Sequence, residues 1–305
     1  MKKAYLIFIL SSCFSLIFLS IFNHKNKLSV YKENINNLDN LVDDSINPHC
    51  SFEFNEFSNN SINKFQELVI TIPESRRWSK NLLEAFTEDS KVINKKYKKK
   101  YNANIFLSQP NSEICKLKAK VRISGDWKDH IQSKNGNIFS SLDVSLNNGN
   151  INGITKFKLF IPSTRNGSSE VILSLLLKEM GYLSPRSGIV KVNLNNKNFE
   201  MIFQEKATKE LLEHNKLRES AILESDESLL WQARSKGEMD SNKIFPRVVN
   251  KKWIKRNGIN QKIGLEGSKI FANSILESWN NGSITFSDVI LSNGNINNKR
   301  ILSRY

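Results

Sequence analysis

Histidine is scarce in this chain, with four in 305 residues. None of His24, His49, His130 and His214 stands at ligand spacing from another, which argues against a zinc site. Cysteine is scarcer still, at three, and no CxxC pair occurs. Cys13 lies in an apolar run, which leaves Cys50 and Cys115 as two reduced thiols or one disulfide, depending on the compartment. There is no Walker loop, no GxSxG elbow, no HExxH and no kinase HRD or DFG set, so the short motifs that announce common catalysts are missing. Acid is also in deficit: 30 Asp and Glu against 45 Lys and Arg leave a net charge of +15. That surplus draws phosphate, nucleic acid, anionic lipid or acidic glycan, and says nothing about fold.

What the chain does have begins with an apolar run, Ala4–Phe22, behind the charged Met1–Lys3. Its length approaches the ~20 residues that span a bilayer as a helix. With no small-residue cleavage site after Phe22, residues 1–24 read as an uncleaved signal anchor. A lipoprotein box at Leu10–Cys13 is the alternative. The expectation is a single-pass protein of a bacterial inner membrane, held through residues 4–22, with its body in the periplasm or outside the cell. Residues 25–62 are polar and Asn-rich and read as a spacer.

Folded structure is expected from residue 63 onward. Leu68–Ile72 is a strand that Pro73 ends, and a helix follows to about Glu88 with Trp78, Leu82, Leu83 and Phe86 at helical spacing. The run Lys95–Lys100 reads as a solvated loop. In Lys116–Ser124 apolar residues alternate with Lys116, Lys118, Lys120 and Arg122, giving one core face and one strongly basic face. Ser141–Leu146 and Ile154–Ile161 flank an Asn-Gly-rich turn and read as a hairpin. Residues Glu170–Met180 are apolar nearly all round, which predicts a buried helix ended by Gly181. Val190–Leu194 and Phe199–Glu205 form a second hairpin about Asn195-Asn196, and a helix runs to His214. Further helices are expected over Ser225–Lys236 and Gly267–Asn280.

Chemistry could gather where basic and acidic residues sit at strand ends: Arg122 and Gly125, Lys156 and Lys158, Arg165, Arg186 and Glu205. A basic strand before a helix can hold phosphate, a strand lysine neutralising it and a helix acid holding the lysine. Lys158 has that setting, with Glu170 or Glu179 as its partner. The plainer readings are a solvated lysine, an Arg165 that caps carbonyls, and a Glu205 paired with Lys206 or Arg186.

The segments VRISGDWKDH, SSLDVSL, NGITKFKLFIPSTRN, the helix ending at Gly181, SPRSG, VKVNLNN and FQEKATKELLE resemble, in order and spacing, the amino-terminal part of the spore-coat CotH-like kinase family. The resemblance covers residues 67–232. It implies an atypical protein-kinase-like fold, ATP with Mg2+, and phosphoryl transfer to serine on secreted or surface proteins. Arg122, Gly125, Lys158, Arg165 and Glu205 fall on the matching motifs and would line the nucleotide cleft. The family's late catalytic aspartates have no counterpart: Asp226, Asp240 and Asp288 lack that setting.

The expected fold is therefore α+β. A kinase-like small mixed lobe, a twisted antiparallel sheet with a buried helix, spans 63–216, and a partial, mostly helical lobe spans 217–305. The competing functional expectation is a non-catalytic envelope protein that binds an anionic glycan or phospholipid through its basic face. Nucleic acid is not expected as a partner, because the anchor and the lack of aromatic interleaving argue against it.

Overall fold

The computed structural model describes residues 49–51, 67–108, 114–226, 236–237 and 245–250, with isolated helical positions between 262 and 278 and the turn 281–283. The elements in chain order are β1 (His49–Cys50), β2 (Glu67–Thr71), α1 (Ser75–Thr87), β3 (Tyr101–Ser108), β4 (Ile114–Ile123), β5 (Ile131–Lys134), β6 (Asn137–Ser140), β7 (Leu142–Leu146) and β8 (Asn150–Ile151). They continue with β9 (Lys156–Phe160), α2 (Ser169–Glu179), β10 (Ser187–Leu194), β11 (Lys197–Glu205), α3 (Lys209–His214), β12 (Leu223–Asp226) and β13 (Phe245–Val248).

Seven of these strands close into a barrel in the order β10-β11-β9-β7-β4-β3-β2. Every neighbouring pair is antiparallel except the closure, where β2 runs parallel to β10 with Leu68 opposite Val192. Period-2 alternation explains the filling. Leu117, Ala119, Val121 and Ile123 of β4 point inward and are wholly buried, as are Leu68 and Ile70, Leu142 and Val144, and Phe157 and Leu159. Phe157 stacks on Phe203 with centroids 4.5 Å apart. The intervening residues, Lys118 and Lys120 among them, face out.

This architecture overturns the α+β, kinase-like expectation. The described chain is mostly β, with a closed seven-stranded barrel and few helices. The two hairpins expected at Ser141–Ile161 and Val190–Glu205 are present as β7–β9 and β10–β11, whereas the β5–β6 hairpin and the β12–β13 pair were not expected. Nor was the closure, since it joins residues more than a hundred positions apart and no local pattern specifies it. The mostly helical second lobe is not what the described residues of 217–305 show: Leu223–Asp226 and Phe245–Val248 are strands, and helical positions are confined to isolated residues between 262 and 278, most of them within the helix expected over Gly267–Asn280. Leu223–Asp226, which overlaps only the start of the helix expected over Ser225–Lys236, is a strand paired with Phe245–Val248; residues 227–235 lie outside the described residues. No helix among the described residues is long and apolar enough to cross a membrane. The single-pass inner-membrane anchor expected over residues 4–22 is thus not borne out by any described helix, and Ala4–Phe22 itself lies outside the described residues.

α2 also departs from expectation. It lays Val171 on Phe160 and Ile202, outward residues of the barrel wall. Among the described residues only that side is covered: Ile172 (50% exposed), Leu173 (43%), Leu176 (53%) and Met180 (37%) form an exposed apolar stripe on the opposite side. An all-apolar helix predicts burial only if partners exist on both sides, and the barrel supplies one. α1 forms where expected and buries Trp78, Leu82 and Ala85 in the main core, with Phe86 partly buried and Trp78 edge-on to Tyr101 at 5.3 Å, but Leu83 of the expected apolar face is exposed. In the Lys95–Lys100 run Lys95, Lys96, Lys99 and Lys100 are exposed, as expected, but Lys95–Tyr97 forms a 3-10 turn in which Tyr97 is buried and its carbonyl accepts from Asn81 Nδ2 at 2.9 Å. Cys50 and Cys115 are joined in a disulfide.

Candidate functional site

The basic face of β4 does not stand alone. Antiparallel register sets Asp143 of β7 between Arg122 of β4 and Lys158 of β9, and sets Ser145 between Lys120 and Lys156. All of these are outward positions of their strands, so the sheet lays them side by side at the ~4.8 Å strand spacing. Lys206, just past β11, is held over the same place by its backbone N–H, which donates to Lys156 O at 3.0 Å. The result is a cavity of about 170 Å³ with five cations, Lys100, Lys120, Arg122, Lys156 and Lys206, around Asp143 and Ser145.

Asp143 organises the cluster. Arg122 donates from Nε at 3.1 Å and Nη2 at 2.6 Å to Oδ2, and Lys206 Nζ donates to both oxygens at 3.0 Å. Burial pushes the Asp143 carboxyl up, but Lys206 and Arg122 together outweigh it and hold it below the usual carboxylate range. It is therefore ionised at neutral pH and offsets part of the surrounding charge. The cations are more open than the acid: Arg122 and Lys206 keep 37% and 28% of their side chains exposed, Asp143 only 6%.

Of the five residues expected to form one cleft, Arg122 and Lys158 share this face. Lys158 and Arg165 both lie over the buried Phe160 ring, at 5.4 and 4.2 Å from its centroid, a cation–π geometry. Gly125 enters through His130, whose ring lies 6.1 Å from that of Phe160. A Cβ on Gly125 would sit 2.1 Å from the His130 ring, and its φ is +93°, so glycine serves packing at this point. Burial first, then the charges of Arg165 and Lys158, lowers the His130 pKa to about 4. The neutral ring pairs with Ser141 Oγ at 2.9 Å, and that oxygen also accepts from Ile161 N.

Glu205 does not join them. It is buried inside one end of the barrel, where Arg186 donates Nε and Nη2 to its two oxygens at 2.8 and 2.9 Å. Glu170, expected beside Lys158, accepts from Gln204 Nε2 at 2.6 Å.

Asp143, Lys206 and Lys100 were not singled out by sequence. Asp143 had one signal, an acid at an outward position of a strand flanked by basic strands. Lys206 and Lys100 lie beyond strand ends, where alternation carries no information. Among the described residues, no three His, Cys, Asp or Glu side chains come together as metal ligands. No family model matches the chain, and no curated protein matches it.

Proposed function

We propose that the protein binds an acidic glycan through the outer face of β4, β7 and β9, without catalysis. The observation that carries this is the set of five cations gathered in a polar-walled cavity about one carboxylate. Lys116, Lys118, Lys120 and Arg122 extend it along β4 at every second residue, a repeat of ~6.7 Å that suits a chain with regularly spaced charges. A lipid headgroup is favoured less, because none of the large exposed hydrophobic side chains lines the cavity, and membrane-surface sites pair cations with apolar anchors.

The test is titration of the full chain with a size-defined hexuronate oligosaccharide by calorimetry. Uncharged maltohexaose, phosphatidylglycerol vesicles and ATP with Mg2+ run as parallel arms. The Lys120→Glu/Lys156→Glu double variant should lose affinity by at least about tenfold, given the reversal of two contacting charges, whereas Lys134→Glu on exposed β5 should not. Equal binding of the neutral sugar, or magnesium-dependent ATP binding that displaces the hexuronate, would overturn the reading.

A further inference from the structure

A second cavity, of about 330 Å³, lies where the last turns of α2 meet the start of β10. That size is at the low end for small-molecule pockets. The groups that matter in its wall are Leu175 and Lys178 of α2, the Pro185-Arg186-Ser187 segment, and His214 at the end of α3. Ser187 is 6% exposed, and its Oγ has no hydrogen-bond partner. Its cross-strand neighbour Gln204 offers no relief, because that amide is given to Glu170. A buried hydroxyl left so is costly unless whatever fills the cavity takes it up.

Arg186 is unusually well placed to meet a ligand. Glu205 grips it through Nε and Nη2, and Nη1 donates to Asn152 O at 2.6 Å, so the guanidinium is immobile before anything binds. Glu205 also neutralises it, which leaves room for a ligand of low charge and none for a strongly anionic one. Lys178 brings a cation to the rim. Burial and the nearby Arg186 keep the His214 imidazole below its ordinary pKa, so it is neutral at pH 7 and able to donate or accept. Leu175 and Pro185 give the wall an apolar part, beside Asn152 and Ser174.

We propose that this cavity binds a small monocarboxylate with a short aliphatic tail, its oxygens taken by Ser187, Arg186 and Lys178 and its tail by Leu175 and Pro185. The site is separate from the glycan face and does not depend on it.

The probes are butyrate, acetate, butyramide and inorganic phosphate, added to the full chain and followed by thermal shift and by the chemical shift of the His214 ring. Butyrate should bind saturably and more tightly than acetate, and its neutral amide should not bind. Ser187→Ala should weaken butyrate about tenfold, the loss of one hydrogen bond to a charged group. The same change should leave the ligand-free melting temperature equal or higher, since the hydroxyl it removes has no partner. Lys156→Glu should leave butyrate binding unchanged even if the glycan reading fails. No butyrate binding, phosphate binding as tight as butyrate, or indifference to Ser187→Ala would each overturn the proposal.

Discussion

Asp143 shows how one buried acid can both support a fold and temper a site. It keeps Arg122 and Lys206 in place while competing with any incoming anion for them. Asp143→Asn should therefore separate the two roles: stability falls by about 1–3 kcal/mol through the weakened charged hydrogen bonds, yet hexuronate affinity rises severalfold. Urea unfolding and calorimetry on the same variant read both. At Gly125 the outcome is purely structural. A methyl group there meets the His130 ring on a backbone of positive φ, and Gly125→Ala should cost roughly 2–4 kcal/mol. His130 supplies a pH dependence. Its pKa drops on folding from the ordinary 6.5 to about 4, so the unfolded chain takes up the proton first. Stability that is fully present above pH 6.5 should decline as pH falls toward 4, by on the order of 3 kcal/mol. His130→Gln should flatten that limb of a urea-derived stability profile; an unchanged limb would mean the ring does not carry it.

The β7–β9 and β10–β11 hairpins follow from alternation and turn chemistry. Asn195 and Asn196 both hold positive φ in the two-residue turn between Leu194 and Lys197, the conformation such a turn demands. The Cys50–Cys115 bond pins β1 to β4 across a sequence separation of 65. Chain-entropy reasoning assigns it about 4 kcal/mol, so reduction, or Cys50→Ser with Cys115→Ser, should lower the melting temperature clearly. α2 makes the opposite prediction. Because Ile172 and Leu176 touch little, replacing both with lysine should change stability by no more than about 0.5 kcal/mol each, where a buried helix would unfold.

For the molecule as a whole, a net charge of +15 sets a long-range field that any anion feels. Raising salt from about 0.05 to about 0.5 M should weaken hexuronate binding strongly, since the cluster's cations are partly exposed and the Debye length contracts severalfold over that range. Butyrate, held by a neutralised arginine and a partly apolar wall, should respond far less. The amino-acid sequence by itself determined which residues of β4 face in and out, where the β7–β9 and β10–β11 hairpins turn, that β4 carries a basic stripe, and that the balance of charge favours anions. These are local properties, set by periodicity and by the backbone freedom of a few residues. Only the tertiary structure decided that the sheet closes, that one side of α2 is left exposed among the described residues, that Glu205 goes to Arg186, and that Lys206 and Lys100 come to Asp143. Each of those depends on strand order and register between residues far apart in the chain, and a one-residue slip would send the same side chains to the opposite face.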